Sequence, residues 1–280
     1  MRRFTYMLNK VTFIGAGELA ESLLKGFLTK KIIKADQVWM TNRSNKERLH
    51  DLEHTYPVHT TQDKKKALDG ADTVIFAFRP GDTKEALAEI RESLHENQLI
   101  VSLMVGVPTD FICNATGKKL AVVRVMPNTS ASIGLSATGM AAGRYVGAAQ
   151  LSLARELFET VGSVTVVEEE RIDVIAGLSG SGPAYLYYLA GAMQEAGVKE
   201  GLAPEDSARL VLQTLKGAVS LLEQSGKKAD DLLRAVATPG GTTQAGIDTL
   251  DRHHVSESVS ACIHQAILRA GEMSGPFQKK

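Results

Sequence analysis

The stretch that most constrains this chain is residues 11 to 21, VTFIGAGELAE. Val11, Phe13 and Ile14 make an apolar run that stops at Gly15, and Leu19, Leu23, Gly26 and Phe27 then recur at helical spacing. A short buried strand must therefore turn sharply into a helix. Gly15, Gly17 and Ala20 fit a dinucleotide-binding fingerprint in which each small residue has its own task. Gly15 allows the tight turn, Gly17 lets backbone approach a pyrophosphate, and Ala20 permits close packing of helix on strand. The helix that follows presents unpaired N–H groups and its positive end to the phosphates. Glycines also punctuate ordinary turns. The strand directly before and the helix directly after supply the context that the fingerprint requires.

The next apolar segment, 37 to 41 (QVWMT), reads as a second strand and runs into Asn42, Arg43 and Ser44. A carboxylate at this place holds the ribose hydroxyls of NAD and repels a 2′-phosphate. An amide, a guanidinium and a hydroxyl stand here instead, which suits NADP. Residues 45 to 55 and 63 to 70 read as polar helices. Strands follow at 73 to 77, 99 to 103 and 120 to 125, with a helix starting near Pro108 and Thr109. Ligands of an open parallel sheet sit beyond the carboxyl ends of its strands, so the turn Phe78-Arg79-Pro80-Gly81 should edge the cofactor site. A strand near 136 to 141, a helix near 147 to 160 and a strand near 163 to 167 complete an alternating pattern that calls for a doubly wound sheet.

From about Glu168 the texture changes to consecutive helices, broken at 180 to 183, 201 to 204, 226, 239 to 241 and around His253. The expected fold class is α/β plus all-α. A Rossmann-type sheet spans residues 1–168 and a helical domain spans 169–280. The segments 184 to 198 and 205 to 224 are rich in Ala, Leu and Tyr, and a helix apolar nearly all round must be buried on several faces. This domain is therefore expected to pack against another copy of itself. Glu168 to Glu170 read as a solvated linker.

Lys plus Arg and Asp plus Glu both number 32, so the whole-chain charge favours neither nucleic acid nor an anionic membrane. No apolar run approaches the roughly 18 residues a spanning helix needs. The N-terminus, MRRFTYMLNK, lacks the long apolar core and small-residue cleavage site of a secretory signal, so a cytoplasmic location is expected. Two cysteines, Cys113 and Cys262, make neither a disulfide framework nor a metal cluster. No metal is expected.

Two stretches of the helical half hold more glycine than helices tolerate. In LSGSGPAY, 178 to 185, Ser181 can cap and Pro183 suits a first helical turn. In TPGGTTQ, 238 to 244, Gly240 and Gly241 precede a helix. Backbone N–H groups there, with the Thr242 and Thr243 hydroxyls, make a small anion site suited to a carboxylate. The seven histidines lie scattered in polar contexts, and no metalloprotease, nucleophile-elbow or Cys/His metal spacing occurs. Such a chain suits chemistry that asks little of side-chain acids and bases, namely hydride delivery to a protonated imine, in which a nicotinamide carries the chemistry and the protein positions and polarises.

These residues resemble the pyrroline-5-carboxylate reductases, which make proline with NAD(P)H. The resemblance covers nearly the whole chain: VTFIGAGELAESLLKGF, Asn42-Arg43, VRVMPNTSASIG at 123 to 134, LSGSGPAYLYYLAGAMQEAGVKEGL, QTLKGA and ATPGGTTQAGIDTL. It implies that Gly15, Ala16, Gly17, Glu18 and Leu19 contact the cofactor phosphates and that Asn42, Arg43 and Ser44 hold the ribose phosphate. Ala77, Arg79 and Pro80 would line the nicotinamide side, and Asn128 would lie next to the cofactor. For the substrate, 1-pyrroline-5-carboxylate, it implies Ser181, Thr238, Gly240, Gly241, Thr242 and Thr243, with the Thr243 hydroxyl facing the ring nitrogen as the catalytic group. The cofactor is expected to be NADPH, with NADH possible. A homodimer with interleaved helical domains, or a larger homo-oligomer, is implied, each substrate site drawing on two subunits. One departure is Arg79, where the family usually has lysine before proline; the larger, forked cation bears on cofactor fit. Two rivals are a 3-hydroxyacid dehydrogenase-like enzyme and an inactive NADP-binding regulatory relative. The first needs a lysine that 184 to 198 lacks, and the intact TPGGTT turn argues against the second.

Overall fold

The computed structural model describes residues 8 to 277. Most of the N-terminal segment read for a secretory signal therefore lies outside the described residues. The first half alternates strand and helix: β1 (Val11–Ile14), α1 (Glu18–Thr29), β2 (Val38–Thr41), α2 (Lys46–Thr55), β3 (His59–Thr61), α3 (Lys64–Leu68), β4 (Thr73–Phe76), α4 (Thr83–Ile90), β5 (Leu99–Ser102), α5 (Thr109–Thr116), β6 (Ala121–Met126), β7 (Ser136–Ala142), α6 (Ala148–Glu159) and β8 (Gly162–Val166).

These strands form one eight-stranded sheet in the order β3-β2-β1-β4-β5-β6-β7-β8. The first six are parallel, β7 runs antiparallel to β6, and β8 pairs parallel with β7. In the register Val11 lies beside Val38 on one side and Thr73 on the other, and Ile14 lies between Thr41 and Phe76. The central strands are buried throughout, as parallel strands covered on both faces must be. Side-chain alternation then sorts them into two cores. Phe13, Ile75, Val101 and Val123 face one side with Phe27 and Phe158, whose rings stand edge-on at 6.4 Å. Ile14, Phe76, Ile100 and Val122 face the other with Leu87 and Ile112.

The second half is helical: α7 (Ile172–Ile175), a π turn (Ala176–Gly180), α8 (Gly182–Lys199), α9 (Pro204–Ser225), α10 (Ala229–Val236), α11 (Thr242–Arg252) and α12 (Val255–Ser274). Among the described residues no helix is long and apolar enough to cross a membrane.

The chain divides into two compact units. One runs to Ser181 and resumes at Ala266; the other is Gly182–Gln265. The change of texture at residue 168 marks the end of the last strand, and the units divide somewhat later because residues 169 to 181 stay packed on the sheet. Arg124 on β6, only 3% exposed, explains this anchoring. Its guanidinium meets Asp173 at 2.8 Å and Glu169 at 3.9 Å, and Glu169 also accepts the Thr109 N–H at 2.7 Å and hydroxyl at 2.6 Å. The reading of Glu168 to Glu170 as a solvated linker is thus corrected: Glu169 is a partner for a buried cation. The LSGSG glycines, expected to break the helix under a Ser181 cap, instead wind a π turn, and Ser181 itself has helical backbone angles (φ −87°, ψ −14°) rather than the extended angles of a cap.

In the second unit α8, α10 and α11 contribute no buried residue, and α9 contributes only Ser207 and Val211. Tyr187 and Tyr188 on α8 and Leu212, Val219 and Leu221 on α9 are exposed. Where α8 and α9 meet, the contact is made by small residues: a Cβ at Gly197 would lie 2.4 Å from the Ser207 hydroxyl, which donates to the Gln194 carbonyl at 2.8 Å.

Candidate functional site

Parallel β1, β2, β4 and β6 end on the same edge of the sheet, and every residue expected at the cofactor follows one of those ends. The strand order reverses at β1, where β2 and β4 flank it, and such a reversal opens the crevice in which doubly wound sheets bind ligands. Gly15 is wedged there. Its N–H donates to the Thr41 carbonyl and Ala77 N–H donates to the Ile14 carbonyl, both at 2.9 Å. At φ +115°, with a Cβ that would fall 2.3 Å from the Ala77 carbonyl oxygen, the position admits only glycine. Gly17, by contrast, is extended backbone at the cap of α1, with no side-chain cap and nothing within 4 Å of where a Cβ would stand. The first turn of α1, Glu18 and Leu19 included, therefore offers its N–H groups and positive end to an open approach.

Beneath this turn lies a network that sequence reading missed. Arg48 on α2 donates from Nε to the Ala16 carbonyl at 3.0 Å and from Nη2 to Glu21. The Tyr56 hydroxyl donates to the other Glu21 oxygen at 3.1 Å. Burial, and then the hydrogen bond to Glu21, push the Tyr56 phenol above its ordinary pKa, which keeps it a donor. Arg48 sits in an unremarkable polar helix, so no sequence signal could have found it.

After β2, Asn42 donates to the Asn45 carbonyl at 2.6 Å, while its own Oδ1 is buried without a partner. Gln62 Nε2 donates to the Arg43 carbonyl at 3.3 Å. The Arg43 side chain reaches toward the turn after β4, where Asp82 lies at 3.2 Å, and Ser44 is exposed beside it. That turn opens with exposed Arg79 and half-buried Pro80 and is tied by the Thr83 hydroxyl to the Pro80 carbonyl at 2.6 Å.

A cleft of about 930 Å³ in the first unit brings together Glu18, Leu19, Asn128 and Ser181, with Leu103, Val105 and Met126 in its lining. It does not include Arg43, Ser44 or Arg79. Asn128 is committed within the protein: its backbone N–H donates to Ser136 Oγ at 3.0 Å, its Nδ2 donates to the Ser179 carbonyl at 3.0 Å and its Oδ1 accepts from Ser130 N–H at 3.1 Å. Its side chain joins the end of β6 to the π turn.

In the second unit Pro239 and Gly240 occupy the centre of a turn closed by Gly241 N–H on the Thr238 carbonyl at 2.9 Å, with Gly240 at φ +73°. Gly241 caps α11 without a side-chain bond, and Thr242 and Thr243 expose their first-turn positions to solvent. The N–H groups of the first turn of α11 are thus left without a side-chain cap. All seven histidines are exposed.

The residues of the first unit fit a dinucleotide. The glycine wedge permits the turn, the uncapped helix end suits phosphate, and the unpartnered Asn42 oxygen suits a ribose hydroxyl. Fold and site together define a nicotinamide-dinucleotide oxidoreductase with an appended helical region. The family model described as pyrroline-5-carboxylate reductase dimerisation matches residues 169–273, and that described as NADP oxidoreductase, coenzyme F420-dependent, matches residues 10–106. The chain is 40% identical to pyrroline-5-carboxylate reductase 2 of Bacillus subtilis, over 96% of this chain and 97% of that one. Among solved structures, a pyrroline-5-carboxylate reductase from Coxiella burnetii superposes with a TM-score of 0.88 at 35% identity, covering 95% of this chain and 99% of that one. A Plasmodium falciparum pyrroline carboxylate reductase with NADP bound gives 0.86 at 25% identity, covering 95% and 98%. The chain belongs to the pyrroline-5-carboxylate reductase family.

Proposed function

We propose that this chain reduces the cyclic imine 1-pyrroline-5-carboxylate to L-proline, with NADPH as the preferred reductant. The observation that carries the reading is the coexistence of two anion sites without side-chain caps, one at the head of α1 beside the glycine wedge and one at the head of α11 after the Pro-Gly-Gly turn. A dinucleotide needs the first and a small carboxylate suits the second. When bound, the reduced nicotinamide supplies the hydride. Gly15 to Leu19 hold the pyrophosphate, Asn42, Arg43 and Ser44 the ribose and its 2′-phosphate, and Ala77, Arg79 and Pro80 the nicotinamide side. Asn128 supports the cofactor from the end of β6, which its side chain ties to the π turn just before Ser181.

Residues 169 to 280 serve as the substrate-binding and dimerisation domain. Backbone N–H groups at Thr242 and Thr243 take the substrate carboxylate, with the Thr242 hydroxyl beside them; Thr238, Gly240 and Gly241 shape the turn, the Gly241 N–H being held by the Thr238 carbonyl. The Thr243 hydroxyl bonds the ring nitrogen and fixes the imine carbon in place. Two anchors suffice for one small ring. No acid or base is asked to move a proton during hydride arrival, in keeping with histidines that all lie in solvent.

The exposed apolar faces of α8 and α9 support assembly into a homodimer or larger homo-oligomer. A cytoplasmic location agrees with this reading. Following absorbance of NADPH and NADH with 1-pyrroline-5-carboxylate tests the function. Turnover with both, faster with NADPH at low concentration, is expected; turnover with a 3-hydroxyacid instead, or none at all, would contradict it.

A further inference from the structure

Arg43 reaches from the loop after β2 to the turn after β4, its Nη1 3.2 Å from Asp82 Oδ1 and 3.9 Å from Glu85 Oε2. Because β2 and β4 stand on either side of β1, this ion pair crosses the crevice at the strand-order reversal, where the adenosine end of a dinucleotide lies. Asp82 precedes α4 yet makes no capping bond with its side chain. Its side chain instead accepts from the Arg43 guanidinium. The Arg43 side chain is 67% exposed and that of Asp82 40% exposed, so the pair is screened by water and a stronger anion can break it. The backbone beneath is held independently by Gln62. Arg43 can therefore change partner by rotating its side chain alone.

We propose that Asp82 sets cofactor choice: it holds Arg43 when no 2′-phosphate is present and competes with that phosphate for the guanidinium, which keeps the site open to NADH and blunts preference for NADPH. This rests on the reading of Arg43 as the 2′-phosphate anchor. With a free ribose hydroxyl the pair stays closed and the Arg43 charge stays neutralised. A 2′-phosphate, carrying close to two negative charges and accepting two parallel N–H bonds, draws Arg43 away and leaves Asp82 beside a like charge. Glu85, farther away and more exposed, adds less.

Calorimetric titration of the full chain tests this, using adenosine 2′,5′-bisphosphate and AMP as probes that differ by one phosphate. Asp82→Asn is expected to tighten the bisphosphate about three- to tenfold and to leave AMP within about twofold, and Asp82→Ser should do the same. The gain should vanish in an Arg43→Ala background, and the ratio of KM for NADH to KM for NADPH should rise in Asp82→Asn by a similar factor. Equal effects on both probes, or a gain that persists without Arg43, would overturn the proposal. If Arg43→Ala alone costs no bisphosphate affinity, the anchor reading fails too. If it does and Asp82→Asn does not discriminate, only the role of Asp82 fails.

Discussion

At the scale of single residues, the proposed chemistry uses hydroxyls, amides and one guanidinium rather than acid/base pairs. Thr243→Ala should cost about 1–3 kcal/mol, or roughly 5- to 150-fold in kcat/KM for the imine, while NADPH binding holds. Thr243→Ser keeps the hydroxyl and should be much milder. Equal losses in the two variants, or a larger loss on replacing His253 or His264, would remove Thr243 from the site. Arg43→Ala should raise KM for NADPH well above any change for NADH, on the scale of one charged hydrogen bond, about 1.5–3 kcal/mol, and equal changes would refute the 2′-phosphate assignment. The tight turn at Gly15 could be read from sequence because the strand before it and the helix after it fix its backbone conformation. Arg48, Tyr56 and Glu21 could not, since their meeting depends on how α1 and α2 pack. The same holds for Glu169, whose neighbours in sequence look solvated and whose partner, Arg124, is remote in the chain.

At the scale of elements, the two glycines of the β1–α1 turn separate folding from binding. Gly15→Ala should lose about 2–4 kcal/mol of stability, from positive φ and collision with the Ala77 carbonyl. Gly17→Ala meets open space, so its melting temperature should stay near that of the parent while cofactor affinity falls. Thermal melts with and without NADPH distinguish the two. Arg124→Met should destabilise the chain by about 2–4 kcal/mol in urea denaturation, because Asp173 and Glu169 lose their cation. Strand alternation and helix periodicity made nearly every element visible in advance. β3, only three residues long and polar (HTT), carried no apolar signal and exists because it pairs with β2. The π turn escaped because glycines that ordinarily end a helix here widen one.

At the scale of the whole molecule, the sheet unit keeps two cores of its own, whereas the helical unit leaves Tyr188 79% and Leu212 68% exposed. Large apolar faces of that kind are covered by a partner in stable proteins. Light scattering should therefore report a dimer or larger species, and a stable, active monomer would refute the assembly. The proposed transfer of hydride from a bound nicotinamide to an imine is tested most directly by isotope transfer. NADPH labelled with deuterium at the transferable position should yield proline with one deuterium on the former imine carbon, read by mass spectrometry. Proline without deuterium, or oxidation of NADPH with no proline formed, would contradict it.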